Sequence, residues 1–118
     1  MLKVYTYAKC STCRNAVKFL QSQNIPFKDI PIRETPPSLK ELQGMLSAYQ
    51  GQIRKLFNTS GLDYRAAGLG VKLPKMKDKD ALSLLTTNGN LVKRPFAIDE
   101  KTHLVGFDET VWRNALGK

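Results

Sequence analysis

The two cysteines of the sequence lie three positions apart, in Cys10-Ser11-Thr12-Cys13. Thiols at this spacing either exchange with disulfides or help to bind a metal ion. A structural zinc site needs four ligands, and the single histidine, His103, lies far away in the sequence, so we expect no metal. A disulfide across so short a loop adds little stability, because the entropy that a cross-link removes from the unfolded chain grows with loop length. The spacing therefore favours a redox-active pair. The alternative is that the two cysteines are unrelated and serve only as small apolar residues near a loop.

The residues around the pair predict a strand, a helix and a second strand. Residues 2–7 form an apolar and aromatic run typical of a strand, and apolar side chains recur at helical spacing from Thr12 onward. Residues 27–32 predict the second strand, in which Pro31 indicates an edge position or an early end. In such a unit the loop after the first strand lies at the carboxyl edge of the sheet, and the cysteine pair occupies that loop.

Cys10 is the candidate nucleophile of the pair. It would stand at the N-terminus of the helix, and Lys9 and Arg14 flank it in sequence. Both the free amides of a first helical turn and nearby cations lower the pKa of a thiol. Cys13, one turn inside the helix, would face the same side and act as the resolving thiol, which attacks a mixed disulfide formed on Cys10. We expect substrate to be bound by Ser11, Thr12 and Arg14, which lie within or beside the pair, and by Pro95 further along the chain.

The rest of the chain predicts a helical insertion followed by a hairpin and a last helix. Ser38 and Glu41 have the spacing of a capping box at the start of a helix. Residues 53–70 predict two short helices separated by 58–61, and a further helix begins at residue 78 or 79 and stops at 88–89. Residues 96–98 and 104–107 predict two strands joined by the turn 99–102. Asp108 would then cap a helix that ends at Gly117.

This order of elements predicts the fold class. A βαβ unit, a helical insertion over about residues 36–90 and a ββα unit suit an α/β protein with a mixed four-stranded sheet flanked by helices. With the cysteine pair at the carboxyl edge of the sheet, the order indicates a thioredoxin-like fold. We expect one domain over residues 1–118.

Arg94-Pro95 is the second candidate constellation. A proline that opens a strand can be held in the cis form, and thioredoxin-like folds place such a proline against the cysteine loop, so we predict a cis bond. Arg94 would then face the nucleophile and stabilise its thiolate or bind an oxyanion with its planar fork. The alternative is a surface arginine before a turn proline.

Composition narrows the partners and the location. Nineteen Lys and Arg against ten Asp and Glu give a net charge of +9, which attracts anionic ligands and acidic protein faces. We expect no direct contact with nucleic acid, because no basic motif with interleaved aromatic residues is present. No run approaches the roughly 18 apolar residues of a membrane span and the N-terminus lacks the pattern of a signal peptide, so we expect a cytoplasmic monomer away from membranes.

Four short segments together resemble one known family. The segments are residues 5–15, 56–61, 93–95 and 105–107, with the sequences YTYAKCSTCRN, LFNTSG, KRP and VGF. Their order along nearly the whole chain resembles the arsenate reductase (ArsC)/Spx/MgsR family. The resemblance implies a thioredoxin-like fold with a helical insertion, a nucleophilic Cys10 and an active-site arginine at Arg94. It also implies no bound cofactor and a thiol donor as reductant, either glutathione or a glutaredoxin or thioredoxin.

Two branches of the family imply different activities. In the glutaredoxin-coupled arsenate reductases the nucleophile attacks arsenate, and additional arginines and a histidine bind the oxyanion; Asn58, Gly106 and Thr6 stand at or near those positions here. The second cysteine is similar to that of the Spx-type members, which bind the C-terminal domain of the RNA polymerase α subunit, whereas residues 58–65 resemble an uncharacterised reductase-like branch. We therefore expect a thiol-disulfide reductase first, an arsenate reductase second and a redox-switched partner of RNA polymerase third.

Overall fold

The computed structural model describes residues 1–116 and divides the chain into two compact units. The first unit combines Met1–Pro31 with the chain from Arg94 onward, and the second is Ile32–Lys93. In chain order the strands and α-helices are β1 (Leu2–Thr6), α1 (Ser11–Ser22), β2 (Phe27–Pro31), α2 (Leu39–Ala48), α3 (Leu62–Ala66), α4 (Leu69–Lys72), α5 (Asp78–Thr87), β3 (Phe96–Ile98), β4 (His103–Val105) and α6 (Glu109–Leu116). The prediction of a single domain over 1–118 stays a prediction.

The first unit contains a mixed four-stranded sheet with the order β2-β1-β3-β4. β1 pairs in parallel with β2, while β3 is antiparallel to both β1 and β4. A parallel pair needs a crossover, and α1 supplies it. The predicted mixed sheet is confirmed, and so is the edge position of β2, the strand that ends at Pro31.

Apolar side chains from the sheet and from both helices of the first unit form its core. Trp112 of α6 is buried, and its indole Nε1–H donates to the Gly106 carbonyl at 3.0 Å, so its one polar atom is satisfied. Burial of one face of α1 against the sheet fixes the helix that carries the cysteines. The buried members of this core are Leu2, Val4, Ala16, Phe19, Leu20, Ala97, Leu104 and Trp112.

The second strand of the hairpin differs from its predicted range. It spans His103–Val105 rather than 104–107, because Gly106 takes a left-handed φ of 70° and its N–H turns back to the Pro95 carbonyl at 2.9 Å. Asp108 caps α6 as predicted, since its carboxylate accepts from the Val111 N–H at 3.2 Å. The predicted end of this helix at Gly117 lies outside the described residues.

The second unit is built mainly from short helices. α2 begins with the predicted capping box, in which the Ser38 hydroxyl accepts from the Glu41 N–H at 3.2 Å and the Glu41 carboxylate from the Ser38 N–H at 3.0 Å. Residues 53–70 contain a 3-10 turn at Ile53–Leu56 before α3 and α4, where two helices were predicted. Across residues 1–116 we find no helix with the length and apolar character that crossing a membrane requires.

Candidate active site

Cys10 lies in the loop that joins β1 to α1 and is the N-cap residue of α1. Its backbone is extended, its N–H donates to the Tyr7 carbonyl at 2.9 Å, and its carbonyl accepts from the Arg14 N–H at 3.0 Å. The side chain of an N-cap residue lies beside the free amides of the first helical turn. Here the Cys10 Sγ accepts from the Cys13 N–H at 3.4 Å. The thiol is partly exposed and can meet a substrate from solvent.

The surroundings of Cys10 favour its thiolate. Partial burial raises the pKa of Cys10, but the Cys13 backbone N–H, a hydrogen bond from the Cys13 side chain and the Arg94 guanidinium together bring that pKa below its ordinary value. Each of these groups stabilises negative charge on the sulfur. The thiolate is the reactive form of cysteine, so Cys10 has the properties of a nucleophile.

Cys13 has the opposite environment. Its side chain is only 2% exposed on the core side of α1, and burial raises the pKa of Cys13 to about 12. A backbone hydrogen bond from Tyr7 lowers this pKa, while the hydrogen bond to Cys10 and the charge on Cys10 raise it further. The two cysteines thus differ in acidity, since the pKa of Cys10 is lowered and that of Cys13 is raised.

Arg94 lies two residues before β3 and reaches the Cys10 sulfur from there. The Arg94-Pro95 bond is cis, as predicted, and Pro95 is buried. The Arg94 guanidinium hydrogen-bonds Cys10, and its Cζ atom lies 4.9 Å from the centroid of the Tyr7 ring. The structure therefore brings together Cys10, Cys13 and Arg94, which the sequence analysis placed in the site from two distant segments.

The other predicted site residues lie near the pair with different surroundings. Ser11 and Thr12 are exposed in the first turn of α1, where a substrate could reach them. Arg14 donates from Nη1 to the Ala8 carbonyl at 3.0 Å, and Lys9 is exposed. The cation that lowers the pKa of Cys10 is Arg94. A further contribution from the sequence neighbours Lys9 and Arg14 stays a prediction.

Tyr7 is the component that sequence reasoning missed. Residues 2–7 were interpreted as one strand, but β1 ends at Thr6 and Tyr7 begins the loop. Thr6 itself is buried and donates from its hydroxyl to the Asp29 carboxylate on the neighbouring strand. The signal that could have found Tyr7 is an aromatic residue three positions before the nucleophile in a chain with a predicted active-site arginine, since arginine packs on aromatic faces.

Two other features lie within the second unit. A cavity of about 380 Å³ is lined mainly by apolar groups, among them Ile53, Tyr64 and Pro74. The Asp63 carboxylate accepts from the side-chain amides of Asn88 at 2.9 Å and Asn90 at 3.3 Å, which lowers the pKa of Asp63. Neither feature contains a thiol. Over the described part of the chain, no three His, Cys, Asp or Glu side chains gather closely enough to bind a metal ion.

The sheet order, the crossover helix and the Cys-X-X-Cys pair at its N-terminus define a thioredoxin-like protein. A solved structure of an ArsC family related protein from Bacteroides fragilis superposes with a TM-score of 0.90 at 37% identity, covering 97% of this chain and 96% of that one. Residues 5–115 match the model of the ArsC family, and the chain belongs to that family.

Two curated relatives represent different branches. The uncharacterised protein YusI of Bacillus subtilis is 41% identical over 108 residues, which cover 92% of each chain. The global transcriptional regulator Spx of Enterococcus faecalis is 34% identical over 116 residues, which cover 98% of this chain and 86% of that one. Family membership is therefore firm, and the choice between enzyme and regulator depends on the site.

Proposed function

We propose that this chain is a cytoplasmic thiol-dependent oxidoreductase in which Cys10 is the nucleophile and Cys13 the resolving thiol. The observation that carries the proposal is the difference in pKa between the two sulfurs, lowered at Cys10 and raised to about 12 at Cys13. An attacking thiol must be deprotonated and accessible, and a resolving thiol must wait until a mixed disulfide has formed. Cys10 is partly exposed and Cys13 is buried, which fits these roles.

The first step is attack on a substrate disulfide. The Cys10 thiolate forms a bond to one substrate sulfur, the substrate S–S bond breaks, and the other sulfur leaves as a thiolate that takes a proton from water. Arg94 stabilises Cys10 before the attack through its charge and its hydrogen bond. Ser11 and Thr12 follow Cys10 in the first turn of α1, and Pro95 follows Arg94. We propose that these three residues contact the substrate together with Arg14.

The second step depends on the charge that Cys10 has lost. Once the Cys10 sulfur is bonded to substrate, its negative charge no longer raises the pKa of Cys13. Burial still raises that pKa, but a proton is now easier to remove. The Cys13 thiol gives its proton to water and the resulting thiolate attacks the Cys10 sulfur. A Cys10–Cys13 disulfide forms, the bond from Cys10 to the substrate sulfur breaks, and the second substrate thiolate leaves and takes a proton from water. Two molecules of glutathione, or the dithiol of a glutaredoxin or thioredoxin, would return the two electrons.

The test is disulfide turnover by the two single-cysteine variants. Cys10→Ser should abolish reduction of a glutathione mixed disulfide, and Cys13→Ser should accumulate a covalent adduct on Cys10, visible as an increase in intact protein mass. Turnover by Cys10→Ser would overturn the proposal. Full turnover by Cys13→Ser without an adduct would remove Cys13 from the mechanism and leave a single-thiol reductase.

Arsenate is a narrower substrate proposal supported by membership in the ArsC family. Arg94 is a cation beside the nucleophile and could bind an oxyanion through charge-assisted hydrogen bonds. The same purified variants and Arg94→Ala should be assayed for arsenite formation with glutathione as reductant. Arsenite production that requires both Cys10 and Arg94 would support this substrate, whereas disulfide turnover without arsenite production would restrict the enzyme to disulfides.

A redox-switched regulator that binds the RNA polymerase α subunit is the second candidate, favoured by the Spx relatives. Binding of the reduced and diamide-oxidised protein to the isolated C-terminal domain of the α subunit would be measured by fluorescence anisotropy, with Cys10→Ser as the variant that cannot form the disulfide. Redox-dependent binding in the absence of turnover would favour the regulator. No binding in either form would dismiss it.

A further inference from the structure

Tyr7 contacts the active site through both its ring and its backbone. Its carbonyl accepts from the Cys10 N–H at 2.9 Å, its backbone hydrogen-bonds the Cys13 sulfur, and its ring lies 4.9 Å from the Arg94 Cζ atom. Tyr7 and both cysteines therefore belong to one short segment, the loop after β1 and the first turn of α1, while Arg94 comes from a segment about 80 positions further along the chain. The contact between the Tyr7 ring and the Arg94 guanidinium connects these two segments.

The Arg94 side chain must be held in one orientation if its charge is to stay beside the Cys10 sulfur. Its side chain has many rotamers, and fixing it beside one sulfur loses conformational freedom. Pro95 is buried and fixes the backbone that follows Arg94, but it leaves the arginine side chain free to rotate. An aromatic face attracts a guanidinium and limits where it can lie. In this structure that face is the ring of Tyr7, and the same guanidinium hydrogen-bonds Cys10.

We propose that Tyr7 is a positioning residue whose ring holds the Arg94 guanidinium against the Cys10 sulfur. Tyr7 acts through Arg94 and takes no part in bond making. The inference rests on the proposed function for its effect on turnover, but its effect on the Cys10 thiol requires no turnover. Replacing the ring with an aliphatic side chain frees the guanidinium, so Cys10 loses part of the charge that stabilises its thiolate.

The expected effect is modest and specific. At a pH below the pKa of Cys10, Tyr7→Leu should slow alkylation of Cys10 by about two- to fivefold, the range that a cation–π contact at a partly exposed site supplies. Tyr7→Phe keeps the aromatic face and should alkylate at the wild-type rate. In an Arg94→Ala background, Tyr7→Leu should have no further effect, because the group that it positions is already absent.

The experiment measures alkylation rate against pH for Tyr7→Leu, Tyr7→Phe, Arg94→Ala and the Tyr7→Leu/Arg94→Ala double variant, each combined with Cys13→Ser so that one thiol reports. Tyr49→Leu is the matched control. The Tyr49 ring lies 5.9 Å from the Lys55 ammonium within the second unit, so this variant removes a tyrosine cation–π contact that does not involve Arg94. It should leave the alkylation profile of Cys10 unchanged. Thermal unfolding of each variant shows that it is folded.

Three outcomes would overturn the inference. An equal loss in Tyr7→Phe and Tyr7→Leu would assign the effect to the hydroxyl, and an equal loss with and without Arg94 would assign it to Cys10 directly. No change in Tyr7→Leu would show that the arginine needs no support. A shifted profile in a protein that turns over no disulfide would uphold the role of Tyr7 while the proposed oxidoreductase function fails.

Discussion

The environments of the two sulfurs predict a large difference in reactivity that can be measured without a substrate. At neutral pH a thiol with a pKa of about 12 is ionised in about one molecule in 10⁵, which is the expectation for Cys13. A free cysteine with a pKa of about 8.5 is about 3% ionised at the same pH. Protonation alone therefore makes Cys13 slower than a free cysteine by on the order of 10³, and its burial slows it further.

The perturbation that tests this reasoning is Cys10→Ser. The hydrogen bond to Cys10 and the charge on Cys10 both raise the pKa of Cys13, so their removal should lower that pKa from about 12. Burial is the largest cause and remains, so the pKa of Cys13 should stay above that of a free cysteine. Cys13 should then react faster than in the intact pair but still more slowly than the same residue in the unfolded chain.

The assay follows iodoacetamide addition by intact protein mass. Lys9 and Arg14 bracket the pair, so trypsin leaves both cysteines in one peptide, and single-cysteine variants give a clearer answer. Cys13→Ser reports Cys10, Cys10→Ser reports Cys13, and each is repeated in urea, where the two thiols should react alike. Cys13 reacting as fast in the folded Cys10→Ser variant as in urea would refute the claim that burial controls its proton.

Two further predictions concern stability. Gly89→Ala should destabilise the fold by about 1 to 3 kcal/mol or more in urea unfolding, because the new Cβ would lie 2.7 Å from the Ile32 carbonyl carbon, a backbone atom that cannot move aside. Gly70→Ala is the control, since a Cβ there would meet nothing within 4 Å, and it should be neutral or stabilising. Equal losses of stability in the two variants would contradict this reasoning. The second prediction concerns the proton on Cys13, which the folded protein keeps to about pH 12 and the unfolded chain loses near about pH 8.5. The contribution of Cys13 to the free energy of unfolding is therefore complete below about pH 8 and is lost as pH rises toward 12. The difference in unfolding free energy between wild type and Cys13→Ala, kept under reductant, should shrink between about pH 8 and pH 10, and a constant difference would contradict the raised pKa.

The order of elements was predictable because local rules and tertiary packing agree along most of the chain. Ser38 and Asp108 were predictable as helix caps because their side chains accept hydrogen bonds from backbone N–H groups. The edge strand was predictable because Pro31 has no N–H to donate to a further strand. Residues 53–70 were less predictable, since short helices are fixed by packing rather than by propensity. The hairpin strand was displaced by the left-handed Gly106, whose φ the sequence does not specify.

The chemistry of the site was predictable in its residue types and in its main cation, because the arginine before the predicted cis proline was expected to face the nucleophile. Arg14, which was expected to add to this charge, donates to the Ala8 carbonyl at 3.0 Å. The effective cation is Arg94, brought to the loop by the antiparallel pairing of β1 with β3, in which Tyr5 lies opposite Phe96.

The same register explains why the two cysteines diverge. Tyr5 and Phe96 stack edge to face at 5.7 Å between centroids, which ties the end of β1 to the strand that follows the arginine and the cis proline. Cys10, at the helix cap, accepts a hydrogen bond from the Cys13 N–H and lies near the Arg94 guanidinium. Cys13, three residues later, is buried on the core side of α1. One turn of helix therefore separates a sulfur that favours its charge from one that resists it. The buried face of α1 decides the environment of Cys13, and the pairing of β1 with β3 brings Arg94 to Cys10.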